Sequence, residues 1–226
     1  MSYDLQPLLR SFAAKQNQEN ARAMSRYMRD QFPFFGIKTP ERRASVRDFI
    51  KQYGLPETNQ IEAAVKTLWN QPNRECHYAA LDLLVRLKKR LNGTHLPLFE
   101  WMITTKSWWD TVDCIAPQCC GPLFAREPQL IQRYSERWVV SDHLWLRRAA
   151  LLFQLKFKEQ TDEALLFRYI LLNADSDEFF IQKAIGWALR EYAKTAPDTV
   201  RRFIQEHPLK PLSKRESLKW LNRTSH

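Results

Sequence analysis

Only four cysteines occur in this chain of 226 residues, and their spacing makes no site of them. Cys76, Cys114, Cys119 and Cys120 form no CxxC pair and have no histidine at ligand spacing, which argues against a zinc cluster or a disulfide framework. The adjacent Cys119 and Cys120 read as small buried residues, so the expectation is a reduced protein with no metal and no cofactor. Glycine is scarce too, at five residues, and no Gly/Ser-rich or low-complexity tract separates one part of the chain from another. Residues 1–226 therefore read as a single domain. The apolar runs are short and broken by charge, which excludes a membrane-spanning helix. Met1-Ser2-Tyr3-Asp4-Leu5 lacks the basic-then-apolar pattern of an export signal, so the expected place is the cytosol. Patterns of alternating strand residues are missing as well.

What is present is helix. Ala79-Ala80-Leu81-Asp82-Leu83-Leu84, Ala149-Ala150-Leu151-Leu152-Phe153 and Ala184-Ile185-Gly186-Trp187-Ala188-Leu189 combine good helix formers with helical apolar spacing. Turn signals separate such runs at Thr39-Pro40, Leu55-Pro56, Asn92-Gly93, His95-Leu96-Pro97, Ala196-Pro197-Asp198 and His207-Pro208. Ser107 with Asp110 three residues on predicts a capping box that starts a helix at Trp108. Pro117 and Gly121 are expected to bend or end that helix.

The helical runs recur with a period near 35 residues. Residues at this spacing form a comb of Arg43, Tyr78, Asp113, Arg148 and Lys183. A fixed period of this size predicts an all-α solenoid of about six HEAT-like helix pairs, each burying its apolar face against its neighbours. The same position in each repeat then lines one continuous, concave, basic face. Net charge is +10, with each third of the chain net positive rather than one basic tail. Positive charge spread along a solenoid suits an extended polyanion, because each neutralised phosphate releases counterions. Packed helices lie roughly 8–10 Å apart, a step that a phosphate backbone can follow. Arg43, Arg148 and Lys183 would form part of a DNA-facing stripe, with Lys156 two helical turns beyond Arg148 on a similar face.

Asp113 interrupts that stripe. A carboxylate among cations opposes binding of an anion, so it either pairs with Arg148 or caps a neighbouring helix as a structural feature, or it does chemistry. Trp109, one turn before Asp113, and Trp187, one turn after Lys183, can project toward the same face, with core packing as the alternative for each. Trp69, Trp101, Trp108, Trp138, Trp145 and Trp220 are assigned to the core or the ends.

With these residues in place, the sequence resembles the AlkD-type DNA alkylation-repair glycosylases, which are built from HEAT-like repeats. The resemblance spans nearly the whole chain. It is carried by residues 105–113 (TKSWWDTVD), 145–150 (WLRRAA), 153–156 (FQLK) and 179–187 (FFIQKAIGW), with residues 36–43 (GIKTPERR) and 212–216 (LSKRE) in support. The family's catalytic acid falls on Asp113, its cleft tryptophans on Trp109 and Trp187 and its cleft arginine on Arg148. Tyr27 matches the family as well, either at the cleft edge or in the core.

The resemblance implies hydrolysis of the N-glycosidic bond of cationic alkylated purines in duplex DNA, chiefly 3-methyladenine and 7-methylguanine, with bulkier N3 and N7 adducts tolerated. No base flipping and no strand cleavage are implied. A cationic base is already a good leaving group, so Asp113 needs only to stabilise the oxocarbenium-like sugar and direct water. Trp109 and Trp187 would hold the sugar against their ring faces, and Arg148 would bind a phosphate. The expected partner is duplex DNA and the expected state a monomer. Two other readings stand: a non-catalytic DNA- or RNA-binding solenoid, and a protein-interaction scaffold.

Overall fold

The computed structural model describes residues 3–223, so the ends of the expected 1–226 domain, including Met1 and Ser2 of the N-terminal reading, lie outside the described residues. Among the described residues there is helix and no strand. The chain divides into two compact units, Met1–His95 and Leu96–His226.

The first unit contains α1 (Gln6–Ala14), α2 (Gln18–Tyr27), α3 (Thr39–Tyr53), α4 (Ile61–Trp69) and α5 (Arg74–Leu87). The second contains α6 (Leu96–Thr104), α7 (Trp109–Ile115), α8 (Gly121–Arg126), α9 (Glu136–Val139), α10 (Leu144–Leu152), α11 (Glu163–Leu171), α12 (Phe179–Tyr192), α13 (Pro197–Glu206) and α14 (Pro211–Leu221). In the first unit α3 packs on α5, with α1 behind α3 and α4 behind α5. In the second, α7, α10, α12 and α14 pack in sequence, with α6, α9 and α11 against α10 and α13 against α12. Within each unit, helices in register are backed by partners, the helical-repeat class expected from the period.

The period has a simple structural origin. Helices α3, α5, α7, α10 and α12 begin at Thr39, Arg74, Trp109, Leu144 and Phe179, and the comb residues Arg43, Tyr78, Asp113, Arg148 and Lys183 are the fifth residue of each. The apolar side of α12 shows why these segments are helices: Ile181, Ala184, Ile185, Ala188 and Leu189 recur at three- and four-residue spacing and are all buried. Helix α10 is buried on nearly every side, as expected of an element packed against five others.

One local expectation is corrected. Helix α7 starts at Trp109 with Trp108 as an N-cap that offers no side-chain acceptor, so there is no capping box, and the Ser107 hydroxyl donates to the carbonyl of Ile103 in the preceding helix. As expected, α7 ends at Ile115, just before Pro117, and Ala116–Cys120 forms a π-helical turn that leads directly into α8. Proline lacks an N–H, so the wider turn is a low-cost place for it. Gly121 follows because a Cβ there would come within 2.5 Å of the Phe153 carbonyl. Cys119 and Cys120 are buried in this stretch, as read from the sequence, and burial pushes both thiols up.

Candidate functional site

The second unit brings Asp113 and Arg148 into direct contact. Arg148 Nε donates to Asp113 Oδ1 at 2.7 Å and Nη2 donates to Oδ2 at 2.8 Å, the two-pronged geometry that suits a guanidinium and a carboxylate. Arg148 Nη1 also donates to the backbone carbonyl of Phe180. The arginine side chain is 5% exposed and the aspartate 15% exposed, so the cation is enclosed while the carboxylate keeps an edge open. Burial pushes the Asp113 carboxyl up from its ordinary value. The hydrogen bonds and charge of Arg148 oppose that rise, and the charge of Asp110 adds to it.

An aromatic cluster supports the pair. The Phe180 ring centroid lies 5.3 Å from that of Trp108 and 4.9 Å from that of Trp145, and Trp108 and Trp145 are 5.5 Å apart. The Arg148 guanidinium carbon is 5.8 Å from the Phe180 centroid. Trp145 is buried, as assigned, whereas Trp108 is only partly so and belongs to the surroundings of the site. Trp109 and Trp187 are half-buried, which fits neither a closed core position nor a fully solvated one. Trp109 is the first residue of α7, one turn before Asp113.

Arg148 was expected on phosphate, yet three of its N–H groups are occupied within the protein. Removing one partner of such a buried pair typically costs about 3–5 kcal/mol, against about 0–1 kcal/mol for an exposed ion pair. Arg148 is therefore fixed in place, and the alternative in which Asp113 pairs with it is correct as geometry. This pairing does not exclude chemistry, because each carboxylate oxygen retains a further lone pair.

Lys183 is held differently. Its ammonium lies 3.0 Å from Glu216 Oε1, and Glu216 also pairs with Lys219 at 2.7 Å and with Arg190 at 2.9 Å. Burial pushes the Glu216 carboxyl up, but the hydrogen bonds from Lys219 and Lys183 and their charges outweigh it and bring it down to about 2. Lys156 departs from the sequence reading. Helix α10 ends at Leu152, so Lys156 sits exposed on the following turn and does not continue the helical face of Arg148.

In the first unit Arg43 is exposed, 4.0 Å from Asp82. Its neighbour Arg42 is the buried one, pairing with Asp82 at 3.4 Å and lying 4.7 Å from the Tyr78 ring centroid. Tyr27, at the end of α2, is 74% exposed, which removes the core-packing alternative for it. Phe180, Trp108 and Glu216 were missed as contributors. The tryptophan and phenylalanine stood inside the motifs, whereas nothing in the sequence marks a backbone carbonyl as an arginine acceptor.

A cavity of about 250 Å³ in the second unit is lined by residues that include Leu151, Gln154, Leu155, Ala188 and Tyr192. It lies toward the C-terminal ends of α10 and α12, and none of the candidate site residues lines it.

A family model described as DNA alkylation repair enzyme matches residues 8–221. Among solved structures, a predicted DNA alkylation repair enzyme from Enterococcus faecalis is 35% identical, covering 92% of this chain and 97% of its own, with a TM-score of 0.84. Two Streptococcus mutans proteins share the fold at 17% identity. The protein smu.31 from strain UA159 covers 90% of this chain and 98% of its own with a TM-score of 0.60. AlkD2 covers 82% and 89% with a TM-score of 0.59. No curated protein matches the chain.

Proposed function

Because the chain belongs to the DNA alkylation repair enzyme family, we propose that it is a monofunctional DNA-alkylpurine N-glycosylase. Its substrates are cationic N3- and N7-alkylated purines in duplex DNA, chiefly 3-methyladenine and 7-methylguanine. The observation that carries this reading is Asp113: a carboxylate with an open edge, held by a buried arginine beside half-buried tryptophans. Burial alone would favour its neutral form, and Arg148 is what supports the anion.

In the reaction the C1′–N bond breaks and its electron pair leaves on the purine, which neutralises the base's positive charge. The Asp113 anion stabilises the cationic sugar, accepts a proton from water, and directs that water to C1′. Trp109 and Trp187 present ring faces to the sugar. Arg148 acts first as the residue that orients and ionises Asp113, with a phosphate contact available only through its remaining N–H groups. Arg43, Lys156, Lys183 and Tyr27 supply contacts to the DNA. Residues 1–226 act as one functional domain, a monomer working in the cytosol, and the family match spans both compact units. No helix of the described residues is long and apolar enough to cross a membrane.

The test is release of free methylated purine from alkylated duplex DNA. Asp113→Asn should slow release by about a hundredfold or more while duplex binding persists. Equal release by the variant would sink the assignment. The occupied Asp113–Arg148 pair favours one competitor, a DNA-binding repeat protein without catalysis, and that reading expects binding with no release by either form.

A further inference from the structure

Helices α12 and α14 meet at a point that only glycine allows. A Cβ on Gly186 would come within 2.4 Å of the Glu216 Cβ and 2.9 Å of the Ser213 carbonyl oxygen. This close approach seats the Glu216 carboxylate, 5% exposed, against α12 between Lys183 and Arg190, the residues that flank Trp187 along the helix. Three cations then share two oxygens. Oε2 takes Arg190, which also donates to the Glu216 backbone carbonyl at 3.2 Å, and Oε1 takes both Lys219 and Lys183.

The two contacts on Oε1 are not equal. Lys219 lies at 2.7 Å and comes from the same helix, while Lys183 lies at 3.0 Å, reaches across from α12, and is 36% exposed. If Lys183 leaves, each Glu216 oxygen still has a cation. If Arg148 leaves Asp113, neither oxygen has one. The lysine is the redundant member of its cluster, and it is the residue of α12 in register with Asp113.

We infer that Glu216 is a positioning carboxylate that holds Lys183 in the free protein and hands it to a backbone phosphate when duplex DNA binds. The handover rests on the glycosylase reading for its ligand. Lys183 is kept at Glu216 rather than left to sample many rotamers, and its release leaves no carboxylate oxygen unpaired. The phosphate gains a cation and counterions are freed.

The test follows affinity for an undamaged duplex across a potassium chloride series for wild type, Glu216→Gln, Lys183→Ala and the double variant. Lys183→Ala should weaken binding and reduce the salt slope by about 1. Glu216→Gln should tighten binding by about two- to fivefold at unchanged slope, because an ion pair no longer has to be broken. In the Lys183→Ala background the same Glu216 change should do nothing. Equal effects of Glu216→Gln in both backgrounds, or weaker binding with Lys183 present, would overturn the handover. A purely structural Glu216 predicts that pattern. Should Glu216→Gln fail to fold, Glu216→Asp serves instead: it keeps the charge but withdraws it by one methylene, and the same tightening, dependent on Lys183, is expected. No duplex binding by the wild type at low salt would overturn the underlying reading and the handover with it. Duplex binding that ignores Lys183 would overturn the handover alone.

Discussion

Asp113 and Glu216 are both largely enclosed carboxylates in the second unit, and their surroundings push them in opposite directions. Asp113 has one guanidinium, a nearby like charge in Asp110 and a carboxyl displaced upward by burial. Glu216 has three cations and a carboxyl brought down to about 2. The difference separates reactivity from attachment. A carboxylate that is barely compensated remains responsive to a positive charge developing nearby, while one surrounded by cations has little more to gain. The same comparison separates two of the comb cations: Arg148 is indispensable to its partner and Lys183 is not.

The largest test of this contrast is Arg148→Ala. It strands Asp113 in a site where burial opposes ionisation, and should cost about 3–5 kcal/mol in a urea melt, with base release lost as well. A loss under about 1 kcal/mol would place Asp113 in far better contact with water than its exposure indicates. Gly186→Ala attacks the other carboxylate without altering charge. The added methyl forces α14 away from α12, and the expected cost is about 1–3 kcal/mol with the Asp113–Arg148 pair intact.

The smallest effect, and the sharpest in sign, is on the pH dependence of stability. The low carboxyl of Glu216 contributes stability that is present above 4.5 and lost as pH falls through about 2. The raised carboxyl of Asp113 contributes stability that is present below 3.8 and lost as pH rises through its higher folded value. Acid titration of folding should therefore lose part of its downward limb in Glu216→Gln, whereas Asp113→Asn should remove a contribution of the opposite slope. Parallel shifts in both variants would contradict the contrast.

The comb was legible in the sequence because five helices begin at strictly equal spacing, so residue number alone carries the register. Asp113 and Arg148, at that spacing, could be read as neighbours, though not as a two-pronged pair with a third bond to Phe180. Glu216 fell outside the pattern because α14 starts at Pro211, 32 residues after the start of α12 at Phe179, and a fixed period misses it. Lys156 was misplaced for a related reason: a helical face was extended past Leu152, where the helix stops. Trp108 was lost to the core because its place in the motif carries no sign of which side chains surround it. The capping box failed because α7 starts one residue later than expected, which makes Trp108 rather than Ser107 its N-cap.

Trp108 and Trp145, with ring centroids 5.5 Å apart and planes tilted by 57°, are close enough and sufficiently non-parallel for their excited states to couple. Such a pair gives circular dichroism a paired positive and negative band that solitary indoles do not produce. Because both rings pack on Phe180, whose carbonyl binds Arg148, the signal belongs to the neighbourhood of Asp113 rather than to helix content in general. The molecule thus carries its own optical marker of an assembled site, able to distinguish a variant that has lost its chemistry from one that has lost its architecture.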